Sequence, residues 1–160
     1  MPMCLHPAKL FVPTAQFRCK IRIISAFFDC KNLESVTIGD GVTDIGYYSF
    51  YNCRNLKKVT IGNGVRWIGN YAFTGCENLT SVVIPDSVED IGFRAFDGCN
   101  SLTSVYYKGT AEQWKKIYIS SDNSRLTDAT RYYYSENQPT ESGNYWRYVD
   151  GEIVIWNKEN

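Results

Sequence analysis

Histidine is almost missing from this 160-residue chain; the only one is His6. Beyond that residue no imidazole is available to act as a general base or to activate a serine or cysteine, which removes the commonest nucleophilic and acid–base arrangements from the body of the chain. Long apolar runs are missing too. None approaches the roughly 18 residues that span a bilayer, so no membrane insertion is expected. The start, "MPMCLHPAKLFVPTAQFRCKIRII", is broken by Pro7, Lys9, Pro13, Arg18 and Lys20 and lacks the unbroken apolar core of a secretory signal. An excess of one charge is also lacking. Seventeen basic residues balance seventeen acidic ones, and like charges never cluster beyond short runs, so neither nucleic acid nor an anionic membrane surface is an expected partner. Gly62-Asn63-Gly64 lacks the lysine and following helix of a phosphate loop. Carboxylate pairs are available in Glu89 with Asp90 and Glu34 with Asp44, but such acids are ordinarily solvated turn residues. The sequence therefore points to no catalytic residue, no metal and no cofactor.

What is present is apolar content and a period. Hydrophobic residues make up 44% of the chain and aromatics 15%, enough for a substantial core. "AFDGCNSLTSV" (Ala95 to Val105) repeats "AFTGCENLTSV" (Ala72 to Val82) at a distance of 23 residues. The same interval links Phe27, Phe50, Phe73 and Phe96; Cys30, Cys53, Cys76 and Cys99; Leu33, Leu56, Leu79 and Leu102; and Val36, Val59, Val82 and Val105. Ile38, Ile61 and Ile84 keep the register, as do Val42, Val65 and Val88, then Ile45, Ile68 and Ile91, then Gly46, Gly69 and Gly92.

Each unit has a physical reading. Leu-x-x-Val-x-Ile ends in alternation of β-branched residues and reads as a short strand with one buried face. Gly39-Asp40-Gly41, Gly62-Asn63-Gly64 and Pro85-Asp86-Ser87 are turns. Val-x-x-Ile-Gly is a second short extended segment, its glycine suited to a positive φ. Ala-Phe-x-x-Cys is about one helical turn, with Phe and Cys facing inward. One unit cannot bury its own apolar face but a stack can, so the expected architecture is a right-handed solenoid, an α/β repeat rich in β-structure with one-turn helices.

In such a stack each inward position becomes a column at the strand spacing of roughly 4.8 Å. The four cysteines are therefore expected as a ladder of buried free thiols. Zinc needs four ligands converging on a tetrahedron rather than standing in line, and parallel side chains have the wrong dihedral for disulfides within the column. Cys4 and Cys19 lie outside the register. The outward strand positions are Ser35, Thr37, Lys58, Thr60, Ser81, Val83, Ser104 and Tyr106, a mostly hydroxylated face taken as the candidate ligand-binding surface. Asn32, Asn55 and Asn78, continued by Ser101, are expected to hydrogen-bond turn backbone.

After Val105 the period ends. Thr110-Ala111-Glu112-Gln113 has capping-box spacing and predicts a helix over roughly Ala111 to Ile117, with Trp114 and Ile117 on one face. Asp122 to Asp128 reads as loop and Ala129 to Tyr134 as a strand. Asp150-Gly151 suits a type I′ hairpin turn that pairs Val149 with Glu152, Tyr148 with Ile153 and Trp146 with Ile155. Repeat arrays need their open end covered, and an aromatic cap is the plainer reading of this segment. The alternative is a carbohydrate platform built from Trp114, Tyr132, Tyr133, Tyr134, Tyr145, Trp146, Tyr148 and Trp156.

"AFTGCENLTSVVIPDSVEDIG" (Ala72 to Gly92) closely resembles the BspA-like leucine-rich repeat family of bacterial surface proteins. The resemblance covers about Ala26 to Val105, and "YYKGTAEQWKKI", "ATRYYYSENQP" and "NYWRYVDGEIVIW" resemble the tail that follows such repeats. It implies a leucine-rich-repeat solenoid over 26–105, a small C-terminal helix and β-hairpin cap over 106–160, and an extracellular or cell-surface location. It also implies a non-enzymatic role in recognition or adhesion, with a protein or glycan ligand, or alternatively a spacer within a larger surface protein. Ser49 departs from the Ala of the Ala-Phe pair, and Phe28 and Tyr51 make the first corners bulkier. Upstream the register fails, with Cys19 and Arg22 where Val and Ile are due, so 1–25 are read as an irregular arm or truncated repeat. Met1 to Lys20 fit a degenerate cap, a disordered arm or the sign of a longer protein, the last two being favoured. Self-association through an exposed N-terminal coil follows as a further expectation.

Overall fold

The computed structural model of the protein describes residues 9–12 and 21–156; His6, Cys4 and Cys19 lie outside them. In chain order the elements are β1 (Lys9–Val12), β2 (Ile21–Ile23), β3 (Ser35–Ile38), β4 (Val42–Ile45), β5 (Lys58–Ile61), β6 (Trp67–Ile68), β7 (Ser81–Ile84), β8 (Asp90–Ile91) and β9 (Ser104–Tyr107). There follow α1 (Ala111–Trp114), β10 (Tyr118–Ile119), α2 (Ser124–Thr127), β11 (Thr130–Tyr134), β12 (Tyr145–Val149) and β13 (Glu152–Ile155). Two sheets result. The long one runs β1-β3-β5-β7-β9-β11-β12-β13 and the short one β10-β8-β6-β4-β2. Each 23-residue unit thus gives one strand to each sheet, and the chain is the expected solenoid.

The register repeats the sequence period. Val36 lies opposite Val59, and Val59 opposite Val82, which lies opposite Val105. Phe27, Phe50, Phe73 and Phe96 stack along the array at 5.2, 5.1 and 5.1 Å between ring centroids. The core is this set of columns, with Leu56, Val59, Ile61, Ile68, Phe73 and Leu79 among its fully buried members.

The cysteine column does more than fill space. Cys53 donates its thiol hydrogen to the Phe27 carbonyl at 3.0 Å, Cys76 to that of Phe50 at 3.2 Å and Cys99 to that of Phe73 at 3.2 Å. A residue small enough for the corner that also carries a weak donor is cysteine. These three are free thiols. Cys30 departs from the expectation: it is disulfide-bonded.

Glycine departs from the positive-φ expectation. Gly69 and Gly92 do not take positive φ; a β-carbon on Gly69 would sit 2.9 Å from the Gly46 backbone, so glycine there permits close approach of adjacent coils. Two left-handed positions recur in each unit: Ser25, Tyr48, Tyr71 and Arg94, with φ of 47°, 56°, 60° and 54°, and then Asp29, Asn52, Gly75 and Gly98, with φ of 56°, 58°, 74° and 71°. At the second of these the residues are Asp, Asn and Gly, the types that tolerate such a backbone.

Both ladders continue where the sequence period stops. Upstream, β1 pairs with β3, Lys9 opposite Ser35, and β2 pairs with β4 through a shift between Ile21 and Arg22; the other residues of Met1 to Lys20 lie outside the described residues. Downstream, β10 extends the short sheet on β8 and β11 the long sheet on β9. A ladder needs only that strand segments meet, so the corner between them can lengthen without breaking it. α1 occupies the lengthened corner, between β9 and β10, and α2 the next connection, between β10 and β11. The capping box is present, with Thr110 Oγ1 accepting from the Gln113 N–H at 3.2 Å and Gln113 Oε1 from the Thr110 N–H at 2.8 Å. α1 stops at Trp114, yet Trp114 and Ile117 are both buried.

The stretch Asp122 to Asp128, expected as loop, contains α2 because Leu126 is drawn fully into the core. Asn123 anchors it. Its amide donates to the carbonyls of Gly92 and Ser120, both at 2.9 Å, and its Oδ1 accepts from the Phe96 N–H at 3.0 Å. The hairpin has the expected pairs, Val149 with Glu152, Tyr148 with Ile153 and Trp146 with Ile155. Asp150 and Gly151 both have positive φ, 51° and 82°, as a type I′ turn requires.

Candidate functional site

The outward face of the long sheet carries two rows. One runs Ser35, Lys58, Ser81, Ser104 and Thr130, the other Thr37, Thr60, Val83, Tyr106 and Tyr132. Thr37 and Lys58 are exposed, and Ser35, Thr60, Ser81, Ser104 and Tyr106 are partly covered. Val83, expected on the exposed face, is only 1% exposed. The C-terminal end of its row is aromatic: Tyr106, opposite Val83 in the ladder, stacks on Tyr132 at 5.2 Å and meets Trp146 edge-on at 5.6 Å. Val83 therefore belongs to packing, whereas Tyr106 is only partly covered, like the serines of the neighbouring row. Of the asparagine column, Asn55 donates to the Lys31 carbonyl at 2.7 Å, a backbone contact in the adjacent coil.

Trp146 organises this end. Its side chain is fully buried, and its indole N–H donates to the Tyr107 carbonyl at 3.0 Å. Tyr134 and Tyr148 stand edge-on to it at 5.3 and 4.9 Å. Trp114 is likewise buried, under the Arg131 guanidinium at 4.5 Å. Trp156 lies against Arg147 at 4.1 Å and donates to the Ser135 carbonyl at 2.9 Å. The three tryptophans of the segment are thus committed to holding the cap together, whereas Tyr134 and Tyr148 each keep 37% of their surface exposed.

Those two tyrosines wall an open basin of about 290 Å³, completed by Asn63, Asp86 and Lys108. Lys108 Nζ donates to Asn63 Oδ1 at 2.9 Å and sits 6.0 Å from the Tyr148 ring centroid. The Asn63 N–H donates to Asp40 Oδ1 at 2.7 Å. The Asp86 carboxylate makes no hydrogen bond or ion pair with another described residue. Burial, with the nearby Tyr134 adding to it, raises the Tyr148 phenol above its ordinary value of 10.0, so it stays a neutral donor. Sequence reasoning misses Asn63, Asp86 and Lys108 as ligand-binding residues. Their only signal is positional: Asp40, Asn63 and Asp86 recur at the 23-residue interval in the turns, and Lys108 takes the place of Gly39, Gly62 and Pro85.

The candidate catalytic acid pairs face elsewhere. Glu34 pairs with Lys57 at 3.4 Å and Glu89 with Arg66 at 3.2 Å, both bridging adjacent coils on the solvent side. Asp44 accepts from the Thr43 hydroxyl at 2.6 Å. Among the described residues no group of three or more His, Cys, Asp or Glu could hold a metal ion, and no helix is long and apolar enough to cross a membrane.

Comparison with known proteins bears on the repeat. The family described as "BspA type Leucine rich repeat region" matches residues 19–127 in six copies. Among solved structures, the chain is similar to a leucine-rich repeat protein of T. pallidum, with a TM-score of 0.62 at 22% identity over 81% of this chain and 59% of that one. A leucine-rich cell surface protein from Faecalibacterium prausnitzii aligns with a TM-score of 0.52 at 29% identity, over 71% of this chain and 35% of that one. A leucine-rich repeat protein from Bacteroides ovatus gives 0.53 at 24%, over 84% and 41%. The chain thus spans between about a third and three fifths of the length of these proteins. No curated protein sequence matches it.

Proposed function

The chain belongs to the BspA-type leucine-rich repeat family, and from that premise we propose that it is a non-enzymatic recognition module of a bacterial secreted or cell-surface protein, binding a protein or glycan ligand. The observation that carries this reading is the long sheet itself. Backbone ladders hold its outward positions in fixed rows, so Ser35, Thr37, Lys58, Thr60, Ser81 and Ser104 present hydroxyls and one ammonium from a rigid surface. A surface that does not reorganise on binding loses less conformational entropy. The likeness to a bacterial leucine-rich cell surface protein supports the location. Neither nucleic acid nor membrane insertion is part of this reading.

The test is a binding screen of the full chain against extracellular-matrix proteins and glycans, alongside a Thr37→Glu/Lys58→Glu variant. Both positions are exposed, so the substitutions leave the fold intact. Saturable binding weakened at least tenfold in the variant supports recognition through this face. If nothing binds saturably, the spacer reading replaces it. Sedimentation of the same samples tests self-association at the N-terminal end, where β1 forms an edge of the long sheet.

A further inference from the structure

We propose that the basin formed by Asn63, Asp86, Lys108, Tyr134 and Tyr148 is a binding site for a neutral hexose-type sugar, presented as the end unit of a glycan. This deepens the recognition reading and rests on it, but moves the ligand from the flat strand face to the end of the array. Four features select the ligand class.

The first is the combination of flat and polar surfaces. Two tyrosine rings with 37% exposure each offer apolar faces with hydroxyl tips. That pairing suits a pyranose, which has an apolar face of C–H groups and a rim of hydroxyls. The second is the set of polar groups left over after the protein's own bonds are made. The Asp86 carboxylate is unpartnered among the described residues and accepts from two adjacent hydroxyls at once. Lys108 donates one hydrogen to Asn63 Oδ1, and an ammonium has two more. Asn63, whose carbonyl is held by Lys108, keeps its NH₂ as a donor.

The third is charge. One carboxylate and one ammonium cancel, and an open carboxylate disfavours phosphates, sulfates and acidic sugars. The fourth is rigidity. Trp146 lies edge-on to both tyrosines and is itself pinned to the Tyr107 carbonyl, while Asn63 is held by Asp40 and Lys108. The walls therefore need little ordering when a ligand arrives. At about 290 Å³ the basin is at the small end of ligand sites, roughly 300–1,000 Å³, which fits one sugar ring rather than a long chain. A second depression, of about 250 Å³ between Leu102 and Arg125, has no aromatic lining.

The experiment is an NMR titration of the full chain with the methyl glycosides of glucose, galactose, mannose and N-acetylglucosamine, with sialic acid as the anionic comparison. The same sugars as terminal units of immobilised oligosaccharides separate free sugar from glycan ends. The expected result is saturable binding of at least one neutral glycoside with a dissociation constant on the order of a millimolar, and none of sialic acid. Asp86→Ala, in an exposed turn, is expected to weaken binding at least tenfold, as is Tyr148→Ala; Tyr148→Phe retains the ring and keeps most of the affinity. Circular dichroism checks that each variant is folded, and Asp86→Ala alone decides the matter if Tyr148→Ala is not.

Binding that survives Asp86→Ala and Tyr148→Ala overturns the basin but not recognition. Binding of matrix proteins without any sugar, or a preference for sialic acid, also overturns the neutral-sugar assignment while leaving recognition standing. No binding of any kind in either screen overturns both.

Discussion

The indole N–H of Trp146 donates to the main-chain carbonyl of Tyr107 at 3.0 Å, across 39 residues of sequence. It ties the hairpin strand β12 to the strand that ends the regular repeats, and the donor and its ring are both shut off from solvent. Replacing it by Phe removes a buried donor and leaves room beside Tyr134 and Tyr148. A loss of about 2–3 kcal/mol is expected, with Trp146→Ala costing about 3–5 kcal/mol. Hydrogen exchange checks the location: amides of β11 to β13 should lose protection before those of β5 and β7, because in a stacked array the damage stays near its neighbours.

Asn123 is the buried polar residue that holds the last coil. Asn123→Ala leaves the Phe96 N–H and the Gly92 carbonyl without this partner at a buried site, and a cost of about 2–4 kcal/mol is expected from one or two unsatisfied groups. Asn123→Asp should be no better, since a carboxylate facing the Gly92 and Ser120 carbonyls cannot donate. Urea denaturation of the two variants tests this; wild-type stability in Asn123→Asp would show that the amide donor is dispensable.

The thiol ladder gives the chain a predictable weakness in alkali. Burial pushes the Cys53 thiol up from 9.0 to about 12 and raises that of Cys76 well above 9.0. The unfolded chain releases these protons near pH 9 while the folded one retains them, so the stabilising contribution is complete below pH 9 and is lost as pH rises towards 12. For Cys53 stability should fall by about 1.4 kcal/mol per pH unit across that window, and Cys76 adds in the same direction. Comparing urea midpoints of wild type and Cys53→Ala at pH 8, 9.5 and 10.5 isolates the Cys53 share, the variant showing the shallower decline. At pH 8, iodoacetamide should label Cys53, Cys76 and Cys99 only after urea is added.

Gly98 sits at φ 71°, where a β-carbon costs roughly 1–2 kcal/mol. Gly98→Ala should lower stability by about that amount and Gly98→Asn by less, since Asn52 holds the same position in an earlier coil at φ 58°. Thermal melts of the pair decide it; equal losses would mean that the added β-carbon matters by contact with Gly75, 3.3 Å away, rather than by conformation.

The exposed ion pairs between coils are not expected to matter in the same way. Lys57 with Glu34, Arg54 with Glu77 and Arg66 with Glu89 all have half or more of their side-chain surface in water. Such pairs contribute little, about 0–1 kcal/mol, so Arg66→Ala should move the urea midpoint only slightly, and raising the salt concentration should do the same.

Most of the repeat is legible in the residues themselves. Phe, Cys, Leu, Val and Ile at 23-residue intervals fall in the core columns, and the Thr110 capping box and the Asp150-Gly151 turn form as read, since these depend on residues close in sequence. The outcome differs where distant segments decide. The glycine of Val-x-x-Ile-Gly serves close approach rather than positive φ, Val83 is buried rather than open, and the Asp122 to Asp128 loop carries a helical turn because Leu126 finds a core to enter.

Local pattern by itself determined the solenoid, its period and the inward set, because a stack of identical coils converts each sequence position into a spatial column. Only the tertiary structure decided where the array ends and where a ligand finds room. Parallel ladders constrain where strands meet but not how many residues lie between them, so coils of irregular length join the stack without announcing a period. The basin unites turn residues of three coils with a hairpin far along the chain, and that meeting is set by how Trp146 packs, which no spacing in the sequence encodes.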